Sequence, residues 1–329
     1  MSNEEGTNRR DFLKTCVAGS IVLGSSDALA FGKSAKSRVV IAKDAMLRGK
    51  DSAIDPTRLS AMLDRAMQAF YGAKDALGPW KRLVRPGQVV GLKINSLVGP
   101  AFCTNPILVE VITQRLQQAG IKPYDIVIWD RKNSELEHAG FRLSSVAGRV
   151  RCMGSDAIGY EDVPEKYGVA SCCLSKILTR TCDVVINVPM LKDHWSAGLS
   201  CSLKNMYGVI NNPTQCHATG CNPAVADVNM LPTIRKKIIF TVCDATSACY
   251  HGGPFYKPEY VWTPDTLIVG SDRVALDSTA VHIIERKRAE LGLKTLEAEG
   301  RPPLYLATAA DAQHLLGTND PKRISLLEV

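Results

Sequence analysis

The sequence is poor in several features, and each shortage excludes a class of protein. None of its 11 cysteines stands in a Cys-x-x-Cys pair, which argues against a zinc ribbon or a bacterial ferredoxin cluster. Aromatic residues are only 6% of the chain, and Lys and Arg are scattered among acids rather than gathered into a stripe, so a nucleic-acid surface is not expected. There is no heptad array and no repeat of about 20 to 50 residues, which leaves out coiled coils, propellers and solenoids. No internal run approaches the roughly 18 apolar residues that a membrane span requires. What remains is a globular chain of 329 residues, 45% hydrophobic, with a formal net charge of +7.

The first 30 residues read as an address. Thr7-Asn8-Arg9-Arg10-Asp11-Phe12-Leu13-Lys14 is a twin-arginine block, Thr15 to Gly24 is a short, weakly apolar run, and Ala28-Leu29-Ala30 offers small residues to a signal peptidase. This order predicts a twin-arginine (Tat) signal peptide over residues 1–30. It also predicts the Tat translocase as a transient partner, cleavage after Ala30, and a periplasmic protein with no membrane span after cleavage. Cys16 leaves with the peptide, and the mature chain carries about +8. Tat cargo often folds around a cofactor before export, which favours a cofactor here.

Residues 31–329 read as one α/β domain, a mostly parallel sheet flanked by helices in Rossmann-like layers. Short Val- and Ile-rich runs at Arg38–Ala42, Val89–Asn95, Asp125–Asp130, Asp183–Val188, Lys237–Cys243 and Thr266–Gly270 are apolar on consecutive positions, as strands covered on both faces are. Between them the spacing predicts helices over Pro56–Tyr71, opened by Asp55, over Pro106–Ala119, closed by Gly120, and over Val274–Leu291. Gly208 to Met230, rich in Asn and Pro, reads as a long functional or lid loop.

The densest chemistry follows the strand Asp183–Val188. Lys192, His194 and Lys204 offer two cations and a group that titrates near neutrality, while Gly198, Ser200 and Ser202 allow close backbone approach and supply hydroxyls. Ligands of parallel α/β sheets sit beyond the carboxyl ends of strands, where this segment emerges. The set suits a carboxylate or phosphate and the movement of a proton. Asn95, Asn205 and Asp244, at strand ends on that same edge or next to Lys204, are further ligand-binding candidates, with Asp244 favoured over Asp277. His138, His282 and His314 read as surface or packing residues.

Lys192, the Gly198/Ser200 turn, Leu203-Lys204-Asn205 and Gly208 resemble the signature of the domain of unknown function 362 family. Leu92-Lys93-Ile94-Asn95 with Thr104-Asn105-Pro106 resembles its first half. Asp244, Gly252-Gly253-Pro254 and Gly270-Ser271-Asp272-Arg273-Val274-Ala275-Leu276-Asp277 resemble its second. More distantly, His194, Ala197-Gly198, Ser200 and Lys204 are similar to the cofactor segment of nickel-pincer lactate racemases. That resemblance implies a nickel-pincer-like cofactor anchored on Lys204, His194 as acid/base catalyst and His217 as a metal ligand. Cys201 and Ser202 replace paired glycines there, Asn95-Ser96-Leu97 replaces an arginine motif, and Arg131-Lys132-Asn133 stands where a second catalytic His belongs, so a complete racemase is not expected. A rival reading takes Cys216, His217 and Cys221, with Cys201 or Cys249 and His251, as ligands of a metal ion or an iron–sulfur cluster in a non-catalytic maturation protein serving periplasmic redox enzymes. Cys216 and Cys221 serve equally well as a disulfide.

Overall fold

The computed structural model describes residues 36–329. The expected signal peptide, residues 1–30, lies outside the described residues. The strands are β1 (Ser37–Lys43), β2 (Val90–Lys93), β3 (Ile126–Asp130), β4 (Arg151–Gly154), β5 (Glu165–Tyr167), β6 (Ala170–Cys172), β7 (Val184–Asn187), β8 (Met190–His194), β9 (Gly198–Ser200), β10 (Ile238–Cys249), β11 (Val261–Trp262), β12 (Thr266–Gly270) and β13 (Ile324–Glu328). Eleven of them form one sheet whose main path runs β13-β1-β12-β10-β7-β2-β3-β4, and β5 pairs with β6 in a small hairpin.

The run β10-β7-β2-β3-β4 is parallel throughout, as the consecutive apolar residues predict. Thr266–Gly270 departs from that expectation, because β12 is antiparallel to both β10 and β1. A parallel return needs a long crossover, usually a helix, and the stretch from β10 to β12 holds only a single turn at Pro258–Tyr260 and the two-residue β11. The chain therefore folds back beside β10 as a hairpin.

Two helical layers cover the sheet. On one face Leu59, Met62, Leu63 and Ala66 of the helix Pro56–Tyr71 and Leu108, Ile112 and Leu116 of the helix Pro106–Gln118 pack with Val40, Leu92, Ile186 and Val242. Each Leu, Ile, Val or Met side chain among them contributes about 1.5–3 kcal/mol on burial. The first helix starts at Asp55, whose carboxylate accepts from the Thr57 and Arg58 N–H groups, and ends at Gly72 in the left-handed conformation. The opposite face carries the helices Ala224–Met230 and Arg273–Glu290, with Val225, Val228, Leu276, Ala280 and Ile284 buried.

Gly208 to Met230 is only partly the loop its composition predicts. Pro213–Cys221 is a chain of tight turns, but Ala224–Met230 is a helix buried on every residue. Such a helix has no polar face, so it lacks the amphipathic periodicity by which a surface helix is read.

Candidate functional site

The parallel strands end in polar residues, and these meet in one cavity of about 140 Å³ at the carboxyl edge of the sheet. That is room for roughly five waters at about 30 Å³ each, enough for a small acid. Lys93 ends β2, Asp130 ends β3, and Lys192 and His194 lie two apart on β8, so both project to the same side. Asp193 between them points the other way and meets Arg301. The β8–β9 hairpin sets Lys192 opposite Ser200 and His194 opposite Gly198, which brings Ser200 to the cavity wall. Gly198 has a positive φ of 71°, and a Cβ there would lie 2.4 Å from the Arg301 carbonyl oxygen, so the turn requires glycine.

Of the residues singled out in the sequence, Asn95, Lys192, His194, Ser200, Lys204, Asn205 and His217 line this cavity. Lys93, Asp130, Tyr207 and Gly208 also line it; none was put forward as a site residue, although Lys93 and Gly208 belong to the motifs that carry the family resemblance. A signal for Lys93 was present: a lysine inside the apolar strand Val90–Lys93 must either find a partner or lose its charge. Its Nζ donates to Asp130 Oδ1 at 2.7 Å and to the Ile94 carbonyl, while Asp130 Oδ2 accepts from the Ser96 N–H and hydroxyl. Gly208 makes room for this pair, since a Cβ there would sit 2.6 Å from Lys93 Nζ.

Lys192 and Lys204 have no such counterpart. Lys192 Nζ donates to Asn95 Oδ1 at 2.7 Å and lies over the Phe102 ring. Lys204 Nζ meets His217 Nε2 at 3.1 Å and lies over the Tyr207 ring. Neither forms an ion pair with a carboxylate among the described residues. Burial pushes both amines down to about 8, with Lys204 adding to the effect on Lys192.

A chain of amides holds Lys192. Asn95 Nδ2 donates to Asn205 Oδ1, Asn205 Nδ2 donates to Asn187 Oδ1, and Asn187 Nδ2 donates to the Ser202 carbonyl. The chain ends beside Asp277, whose buried carboxylate accepts from the Ser202 and Leu203 N–H groups at 2.8 and 2.9 Å. Burial raises Asp277 to about 7. Asp277, passed over in the sequence, thus pins the turn that leads to Lys204.

The two histidines are held as opposite tautomers. His194 Nδ1 accepts from the Ser196 and Ala197 N–H groups, both at 3.3 Å, so the ring proton sits on Nε2. Burial first, then the Lys204, His217 and Lys192 charges, push its pKa down to about 2. His217 Nδ1 donates to the Pro213 carbonyl at 2.8 Å, which leaves Nε2 as a lone pair facing Lys204. The rings stack with centroids 5.5 Å apart. His194, expected to move protons, is therefore set as a fixed hydrogen-bond donor, whereas His217 has the free basic nitrogen.

Three candidates fall elsewhere. Asp244 accepts from the Asn105 and Thr246 N–H groups and the Thr246 hydroxyl, and so fixes the start of the helix Pro106–Gln118 instead of lining the cavity. Cys216 turns toward Cys172, and Cys221 lies 4.0 Å from the Ser196 hydroxyl. Neither Cys216 nor Cys221 reaches the cavity, and all ten described cysteines are free thiols. Cys201 packs on Cys243, and His251 faces Arg288 and Arg301. Among the described residues no three His, Cys, Asp or Glu side chains converge as metal ligands.

An α/β sheet with a donor-lined cavity at its carboxyl edge defines the class. The family model described as domain of unknown function (DUF362) matches residues 90–282, more than half of the chain, and the protein belongs to that family. No curated protein matches it. Among solved structures it is similar to the lactate racemase apoprotein from Thermoanaerobacterium thermosaccharolyticum, with 13% identity, a TM-score of 0.37 and coverage of 76% of this chain. The match spans 57% of that protein, less than two thirds of its length. Among the described residues no helix is long and apolar enough to cross a membrane.

Proposed function

We propose that the protein binds a small anionic ligand in this cavity and exchanges a proton with it, after Tat-dependent export to the periplasm. One observation carries the binding: two buried ammonium groups in one cavity without a carboxylate partner among the described residues. An unpaired buried charge costs several kcal/mol, and an anion from solution removes that cost. The supporting donors are the His194 Nε2–H and the Ser200 hydroxyl. Asn95 and Asn205 act behind Lys192 as positioning residues, since their amides are already engaged with one another.

Proton exchange belongs to Lys204 and His217. Lys204 Nζ gives a proton to the bound ligand or takes one from it, His217 Nε2 accepts the hydrogen bond of a remaining Nζ–H, and the Pro213 carbonyl holds the ring in the tautomer that accepts it. His194 cannot take this part without losing the two N–H groups aimed at Nδ1. Thermal shift of the purified protein against small acids tests the binding. A specific acid raises the melting temperature, and Lys192→Met with Lys204→Met abolishes the rise. A panel without any such acid defeats the reading.

A second reading rests on the Lys204–His217 contact alone: a nickel-pincer-like cofactor anchored on Lys204 with His217 Nε2 toward the metal. When bound, such a group supplies hydride acceptance. The residues fit its anchor but not its cradle, because the Ser202 and Leu203 N–H groups are taken by Asp277 and the Ser202 side chain is bonded to Thr241. Intact mass and metal analysis of the native protein decide this reading, and a mass equal to the bare mature chain with no stoichiometric metal removes it.

A further inference from the structure

The charges around the cavity do not balance, and the size of the imbalance specifies the ligand further. Among the described residues four fixed cations line it, Lys93, Arg131, Lys192 and Lys204, against the two carboxylates of Asp130 and Glu135. Lys93 pairs with Asp130 at 2.7 Å and Arg131 with Glu135 at 2.5 Å. Two ammonium groups are left over, and they flank one ring. Lys192 stands two residues before His194 on the same face of β8, and Lys204 touches His217, which stacks on His194. At neutral pH both amines are mainly charged, because burial brings them only to about 8.

Resting on the anion-binding reading, we infer that the cavity selects dianions over monoanions, with one negative charge taken by Lys192 and the other by Lys204 across the His194 Nε2–H. A monoanion would satisfy one ammonium and leave the second buried and unpaired, with the cost that follows. The two cations also repel each other in a medium of low polarity, and a single bound charge removes only part of that. The amides cannot substitute, since Asn95 and Asn205 are each committed to a neighbour. The chemistry shared by a dicarboxylate and a tetrahedral oxyanion is two negative charges within one small molecule, and this is what the site recognises.

Calorimetric titration of the purified protein at pH 7.5 and fixed ionic strength, with malonate and sulfate as dianions and acetate as monoanion, tests the inference. Malonate or sulfate is expected to bind at least tenfold more tightly than acetate, and which of the two is preferred tells a dicarboxylate site from a tetrahedral one. Lys192→Met and Lys204→Met, each separately, should cut dianion affinity at least tenfold and erase the preference. Lys192→Gln and Lys204→Gln serve as second variants if either methionine protein fails to melt cooperatively. Equal affinity for all three anions, or a preference that survives both substitutions, overturns the inference and leaves the anion site standing. Failure of every anion to bind overturns the anion site itself.

Discussion

His194 and His314 are both almost completely buried, at 2% and 5% exposure, and yet they are held in opposite ways. His314 is clamped between two carboxylates, Nε2 on Asp227 Oδ1 and Nδ1 on Asp311 Oδ1, both at 2.8 Å. Both nitrogens must carry protons to make those contacts, and its pKa is raised despite burial. His194 has cations around it and a pKa driven down to about 2. One buried cluster is neutralised by its own chain and ties the segment after Ala310 to the helix Ala224–Met230. The other is left positive. Burial alone therefore does not separate a structural ionisable group from a functional one; the presence or absence of an internal counter-charge does.

That contrast is broken most forcefully at the balanced part of the cavity. Asp130→Ala strands the Lys93 ammonium at no exposure, and a loss of about 3–5 kcal/mol is expected in urea unfolding. A loss below 1 kcal/mol would mean that the pair is not what holds Lys93. His314→Gln leaves Asp227 and Asp311 without a cation and should cost roughly 1–3 kcal/mol at pH 6. Because the folded pKa of His314 lies above its unfolded value, the stabilisation is fully present below that unfolded value, about 6.5, and is lost as pH rises through the folded value. The difference between wild type and His314→Gln should therefore shrink above neutrality. A difference independent of pH from 5 to 9 would deny the charge.

Lys192→Met probes the unbalanced side, and its sign is opposite. The folded pKa of about 8 lies below the ordinary value of 10.5, so the unfolded chain binds the proton more tightly and the charge destabilises the fold at pH 7. The substitution should stabilise the ligand-free protein by roughly 1–3 kcal/mol, an advantage that fades as pH rises past 8 toward 10.5. A destabilised variant would show that Lys192 is held by packing rather than tolerated for a ligand. The smallest effect is expected at Cys216→Ser, which should leave anion affinity within about twofold of wild type, because its thiol faces Cys172. A metal bound stoichiometrically and lost on this change would favour the cluster reading instead.

The sheet was legible because strands buried on both faces carry consecutive apolar residues, as Val184-Val185-Ile186 and Ile126-Val127-Ile128-Trp129 do. The direction of Thr266–Gly270 was not, since strand composition is indifferent to the sense in which the chain arrives. The Lys192 to Lys204 segment announced itself by packing cations, hydroxyls and glycines behind a strand end. Asp277 stayed hidden because an acid near a helix start is ordinarily explained by the helix itself, and only the chain path from Ser202 shows what it grips. Asp244 drew attention for its place at a strand end, but β10 runs on to Cys249, so that residue lies inside the strand and serves backbone instead. For the histidines, the sequence carries no trace of which nitrogen holds the proton; this depends on backbone groups at Ser196 and Pro213.

The amides running from Lys192 to Ser202 all donate in the same sense, and this has a mechanical consequence. None of Asn95, Asn205 or Asn187 can turn over without setting like groups against each other at the next contact, and even a joint reversal would set the Asn95 amide N–H₂ against the Lys192 ammonium and Asn187 Oδ1 against the Ser202 carbonyl. The Lys192 end of the cavity is consequently stiff before any guest arrives. Little conformational freedom remains to be surrendered there on association, and a small molecule with few contacts can still be held.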